Sequence, residues 1–194
     1  MGSAGSSSLL FWVVAAIALF WGVGAYNRLV RLRSEVNTAF AALEAELARQ
    51  VELVQACLDP QDSHPASQFD GGSAFWGGLQ GAATQFAASL NAARARPLDV
   101  ERIAALGAAQ EVLHMAWDRA ERDDAHDLAG PRLPENLTAE RAQLVRMTQA
   151  ATARFNDAVT RYNEAIGQFP AMLLAWLFGF QPGRGLRLRA DVLG

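Results

Sequence analysis

From Leu9 to Ala25 the chain runs through seventeen consecutive uncharged residues, most of them apolar. At about 1.5 Å per residue a helix of that length covers ~25 Å, slightly short of a ~30 Å hydrocarbon core. Extended to Tyr26, it spans once flanking groups reach the interface. Beyond Tyr26 the pattern changes. Leu29, Leu32, Val36, Phe40, Leu43, Leu47, Val51, Val54 and Leu58 recur at steps of three or four. That spacing puts one apolar stripe along a helix. The helix continues from the first segment without a break and stops before Pro60.

The rest of the chain repeats the helical period. Asp59 to Gly72 reads as a loop, with Pro60, Pro65, Asp70 and two glycines. A second helix is predicted over Ala74–Ala95, striped by Phe75, Leu79, Phe86 and Leu90, with Gly77, Gly78 and Gly81 weakening its first turns. Pro97 breaks it, and Asp99 is placed to favour the start of a third helix. That helix carries Ile103, Leu106, Leu113 and Trp117 and runs to about Asp127. Gly130, Pro131 and Pro134 form the next turn. A fourth helix is predicted from Glu135 to Gln168, striped by Leu137, Leu144, Met147, Ala151, Phe155, Ala158, Tyr162 and Ile166. Strand signals are nearly absent. The expected fold class is therefore all-α: an N-terminal transmembrane helix (9–26) continuing into an antiparallel up-down four-helix bundle (27–168). A short extracytoplasmic stretch (1–8) precedes it and an apolar, basic segment (169–194) follows.

Charge orients this arrangement. The stretch Met1–Ser8 has no charged side chain, whereas Arg28, Arg31 and Arg33 follow the apolar segment closely. The positive-inside bias puts the N-terminus outside and the body in the cytoplasm. Trp12 near one end, and Trp21 and Tyr26 near the other, suit interfacial belts, with Leu9 and Phe20 among the lipid-facing apolar groups. A cleaved signal peptide is the rival reading, because Val23-Gly24-Ala25 resembles a cleavage site. The basic leader such a peptide needs is missing.

The remaining composition narrows the function class. Ser34–Gln168 holds 11 arginines and 19 acids, and Phe169–Gly194 three arginines and one acid. An acidic body excludes nucleic acid as a partner, since that needs a basic footprint. The chain has no lysine, and its single Cys57 cannot close an intrachain disulfide.

Two stretches, taken together, resemble the LemA family of bacterial membrane proteins. The first is Tyr26-Asn27-Arg28-Leu29-Val30-Arg31-Leu32-Arg33, continuing through Val36, Ala39-Phe40, Leu43-Glu44 and Leu47 to Leu53-Val54. It is similar to the family's opening YNxLVxLR helix. The second is Phe155-Asn156-Asp157-Ala158-Val159, then Tyr162-Asn163, Ile166, Phe169-Pro170 and Leu177-Phe178-Gly179-Phe180. It looks like the closing YNDAV…YN…FP…GF signature. The middle third, Cys57–Leu133, matches little, and the DLIPNLV-like run and upstream Thr-Glu pair common in the family are replaced by other residues. The resemblance implies a membrane-anchored helical bundle of poorly defined function with no agreed catalytic residues, and a helical span makes the bacterial inner membrane the default location.

Catalytic patterns are weak. Glu111-Val112-Leu113-His114 is a Glu-x-x-His pair, and Asp123-Asp124-Ala125-His126 a looser copy. Both lie on one helix, roughly 18 Å apart, and so cannot share a metal. Cys57 falls near the apolar stripe and reads as a core thiol. No cofactor, metal or enzymatic activity is expected. Two features point elsewhere. Asn27, Asn156 and Asn163 sit beside aromatics in helices, where asparagine is disfavoured. They are expected to clasp the first and last helices just below the bilayer, with solvent-exposed amides as the alternative. The segment Phe169–Phe180, with Trp176, Phe178 and Phe180, then Arg184, Arg187 and Arg189, reads as a second, peripheral membrane contact. Capping of the bundle end by Phe169, Leu173, Trp176 and Phe180 is the alternative. The expected function is a non-enzymatic scaffold or partner-binding protein. Its partners would be the lipid bilayer and an unidentified protein. Self-assembly into a homo-oligomer is the other structural reading, and an enzyme the remote one.

Overall fold

Five helices account for the fold in the computed structural model, which describes residues 3–58, 71–125 and 137–188. They are α1 (Ser3–Leu58), α2 (Gly71–Ala95), α3 (Val100–Ala125), α4 (Leu137–Gly167) and α5 (Ala171–Phe178). No strand occurs among the described residues. The expected all-α class and the uninterrupted passage from the apolar segment into the bundle are both present. Pro60, His64, His126 and Arg189 lie outside the described residues, as do Met1 and Gly2 of the stretch expected to be extracytoplasmic.

The two long helices form the spine. The α1 stripe is buried at Leu29, Leu32, Val36, Phe40, Leu43, Leu47 and Val54, as its spacing predicted. Each such side chain, fully buried, contributes about 1.5–3 kcal/mol of transfer free energy. The facing stripe of α4 is Leu137, Ala151, Phe155, Ala158, Val159, Tyr162 and Ile166. Four contacts fix the antiparallel register: Arg28 to Gln168 at 3.5 Å, Glu35 to Arg161 at 3.9 Å, Phe40 edge-on to Phe155 at 5.5 Å, and Gln50 Nε2 to Thr148 Oγ1 at 2.8 Å. Met147 does not belong to this stripe. It is exposed, and Thr148 takes the buried place, because the step from Leu144 to the core is four residues rather than three.

The α2–α3 hairpin packs on the other side of α1. Ala82, Ala83 and Ala93 alternate with Leu79, Phe86 and Leu90 on its buried face. The α2 helix starts at Gly71, three residues before its expected start, so Gly77, Gly78 and Gly81 are tolerated inside it. At the hairpin turn Asp99 Oδ1 accepts the backbone N–H groups of Glu101 and Arg102, each at 3.1 Å, and so caps α3. The fourth side of the bundle is different. Helices α1 and α4, α1 and α2, and α2 and α3 pack closely, whereas α3 and α4 stand apart. Near the far end Arg141 on α4 bridges that gap. It pairs with Asp118 at 2.9 Å and Glu121 at 2.6 Å, over the Trp117 ring. These two carboxylates hold its guanidinium above the usual arginine range despite the opposing effect of burial. The rest of the gap is filled by the extended segment after α5.

Candidate functional site

The end of α4 delivers the chain to the boundary between the bundle and the apolar part of α1. Phe169 meets Trp21 edge-on at 6.0 Å, Phe178 meets Tyr26 at 5.1 Å, and Phe180 meets Tyr26 at 6.2 Å. Helix α5 therefore runs alongside α1 from the level of Trp21 to that of Tyr26. Trp21 lies five residues inside Tyr26, or about 7.5 Å along the helix. Ala171 and Ala175 are buried against the bundle, while Met172, Leu173, Trp176, Leu177 and Phe178 are exposed. Trp176 is 84% exposed and Phe169 69%. The capping alternative thus holds only for Phe180, which packs partly buried against the core under Arg33, 5.9 Å from its ring. The exposed apolar face is continuous with that of α1. Leu9, Trp12, Phe20 and Trp21 are all exposed there, and one helix beginning at Leu9 has the length and composition to cross a membrane.

Gly179 ends α5 in the left-handed region, φ 69°, and turns the chain into the tail. The tail then descends along α4. Gly183 N–H donates to Asn163 Oδ1 and Asn163 Nδ2 donates to the Gly183 carbonyl, both at 2.9 Å. Leu186 N–H donates to Asn156 Oδ1 and Asn156 Nδ2 to the Leu186 carbonyl, both at 2.8 Å. The spacing explains the pairing. Seven helical residues rise ~10.5 Å, and three extended residues cover ~10 Å. Two residues before Gly183, the Gln181 carbonyl accepts from the Tyr162 hydroxyl at 3.1 Å. Burial pushes the Tyr162 phenol above its ordinary pKa, with Arg33 opposing. Leu186 is buried beside Gly107 of α3.

This arrangement corrects two expectations. The asparagines do not clasp α1 to α4. Asn27 is exposed, and Asn156 and Asn163 face the groove that the tail fills. A side-chain amide carries the donor and acceptor that an extended backbone needs, and the α1–α4 seam already has apolar partners at that level. The tail is also not free to lie on a membrane along its whole length. Arg28, Arg31 and Arg33 are exposed in the two turns after Tyr26, and Arg184 is exposed beside Gly183, which Asn163 holds at about the level of Arg33. Arg187 is exposed too, but beside Leu186, which is level with Asn156 and so with the Phe40–Phe155 contact. Phe40 lies fourteen residues past Tyr26, or about 21 Å along α1, so Arg187 stands far from the level expected for headgroup contact. From Phe169 on, α5 packs on α1 and α4, and the tail is held to α4.

The remaining candidates among the described residues are Cys57 and His114. Cys57 is half-buried against the core, and burial, then the nearby Glu140 charge, raises its thiol pKa, which disfavours the nucleophilic thiolate. His114 lines a cavity of about 10 Å³ with Gln50, Trp117 and Arg141. Among the described residues no cluster of three His, Cys, Asp or Glu side chains is placed to hold a metal. An open groove of about 400 Å³ follows the α1–α4 seam, floored by Ala39, Ala42, Ala151 and Ala158 and rimmed by arginines and Glu35. Compared with known proteins, the chain matches no family model, no curated protein and no solved structure.

Proposed function

We propose that the protein is a single-pass, membrane-anchored scaffold of the LemA type, whose bundle stands upright on the cytoplasmic face of a bacterial inner membrane and offers its sides to a protein partner. The observation that carries this reading is the shared level of α5 and the Trp21–Tyr26 turns of α1. Two apolar surfaces, far apart in sequence, lie side by side, and nothing among the described residues covers their outer faces. A bilayer covers both at once. Two contacts restrain the tilt that a lone helix retains. The exposed Arg28, Arg31, Arg33 and Arg184 then meet anionic headgroups, each contributing about 1 kcal/mol near the surface.

Beyond the bilayer α1 continues from Tyr26 to Leu58, a rod of roughly 50 Å. Such a post suits holding a partner at a set distance from the membrane. The full-length chain with a C-terminal reporter that fluoresces only in the cytoplasm tests the placement. The expected result is a fluorescent product that resists carbonate extraction from membranes. A product released by carbonate, or a silent reporter with intact protein, overturns it. Crosslinking in intact cells, followed by identification of the trapped neighbours, tests the partner. Recovery only of further copies of the chain would favour a self-assembling protein instead.

A further inference from the structure

We infer that α5 makes the membrane-embedded part of this protein tapered, so that it favours bilayers whose bundle-side leaflet is convex. The inference rests on the membrane-contact reading above and adds a preference for membrane shape. At the level of Leu9 and Trp12, α1 alone among the described residues occupies the bilayer. One helix of ~10 Å diameter has a cross-section of about 80 Å². At the level of Trp21 to Tyr26, α5 stands beside α1, and the cross-section roughly doubles. The added half is uncharged from Phe169 to Phe180 and presents Phe169, Met172, Leu173, Trp176 and Leu177 outward.

Its depth suits a wedge. Phe169 reaches the level of Trp21, about 7.5 Å inside Tyr26, within the ~5–10 Å at which interfacial helices seat their apolar faces. The remainder of the tail cannot follow it into lipid, because Asn163 and Asn156 hold Gly183 and Leu186 to the bundle. The extra area is thus confined to one leaflet. Among the described residues nothing widens α1 at its other end. A shape wider on one side relieves packing where that side's headgroups are spread apart, which is the basis of curvature-sensitive interfacial binding.

The full chain, carrying a C-terminal fluorescent protein, is reconstituted into giant vesicles of neutral and anionic phospholipid, and narrow tubes are drawn from them. With the bundle facing outward, enrichment on the tube of about twofold or more is expected, and with the bundle facing the lumen, depletion. The Leu173→Ser, Trp176→Ser, Leu177→Ser variant alters only exposed side chains and brings both ratios close to one. In parallel, a Cys57→Ala, Trp176→Cys chain labelled with bimane is tested for quenching by brominated lipids. Quenched bimane with no sorting in either orientation overturns the taper and leaves the membrane contact standing. Unquenched bimane overturns the membrane contact itself. Sorting that persists in the triple-serine variant, or that ignores orientation, also overturns the taper.

Discussion

Asn163 holds Gly183 by both its N–H and its carbonyl, each at 2.9 Å, and so treats an extended segment as a neighbouring strand would. Asn156 repeats this with Leu186 two helical turns away. The pair ties the last described residues of the chain into the gap between α3 and α4. It also ends the freedom of the segment that carries α5, and so holds α5 at its level beside Trp21 and Tyr26.

Removing that clasp has a distinct signature. Asn163→Ala strips two partners from a half-buried backbone and is expected to cost about 1–3 kcal/mol in thermal or denaturant unfolding. Asn163→Asp keeps the acceptor but sets a carboxylate against the Gly183 carbonyl, so it does not rescue. Asn27→Ala, on an exposed face, is expected to change stability by less than ~0.5 kcal/mol. A double-mutant cycle between Asn27 and Asn163 should show no coupling. Measurable coupling would reinstate a clasp between α1 and α4.

The two tail glycines differ in what surrounds them. A Cβ on Gly185 would stand 2.7 Å from Asn156 Oδ1, an atom already held by a hydrogen bond. A Cβ on Gly183 would meet the Cδ2 end of Leu98, a half-buried side chain able to rotate. Gly185→Ala is therefore expected to cost about 1–3 kcal/mol and to raise hydrogen exchange over 181–188, and Gly183→Ala less. The reverse order would show that Asn156 yields more easily than its two bonds imply.

Alkali should loosen the tail through Tyr162. Its phenol has a raised pKa in the folded protein, from burial first, so the unfolded chain loses its proton first, near 10.0. The stabilisation is fully present below that value and declines as pH rises through the folded pKa. Tyr162→Phe is expected to lower stability at pH 7 by about 1 kcal/mol, through loss of the bond to Gln181. It should also flatten the alkaline decline. Unfolding curves for both chains from pH 7 to 11 provide the check.

Thr148 and Thr152 lie one turn apart on α4, both buried, and should respond oppositely to valine. The Thr148 hydroxyl accepts from Gln50 Nε2 at 2.8 Å, and Thr148→Val leaves that amide without its partner, at a cost of about 1–3 kcal/mol. The Thr152 hydroxyl is buried without a hydrogen-bonding partner among the described residues, so Thr152→Val is expected to be neutral or stabilising. Paired denaturation midpoints decide the matter.

Periodicity alone located the helices and the buried stripe of α1, because every third or fourth residue from Leu29 to Val54 must face one partner if the helix is to bury it. The uncharged run Leu9–Ala25 and the cluster of arginines after it are likewise visible in order and composition. Met147 against Thr148 marks the limit of that reading. A one-residue step rotates a helical position by about 100°, and hydrophobicity favoured the methionine over the threonine that Gln50 selects. The fate of Asn156 and Asn163 lay further out of reach. Their spacing of seven signals a common helix face, yet their partners are backbone groups of Gly183 and Leu186, which no side-chain pattern announces. The level of α5 beside Trp21 was also settled only in three dimensions. It depends on the antiparallel register of α1 and α4, which is summed over contacts from Arg28–Gln168 to Gln50–Thr148. Local order determined which segments are apolar and helical. Packing alone decided that two of them, some 150 residues apart, stand shoulder to shoulder with outer faces that no described residue covers.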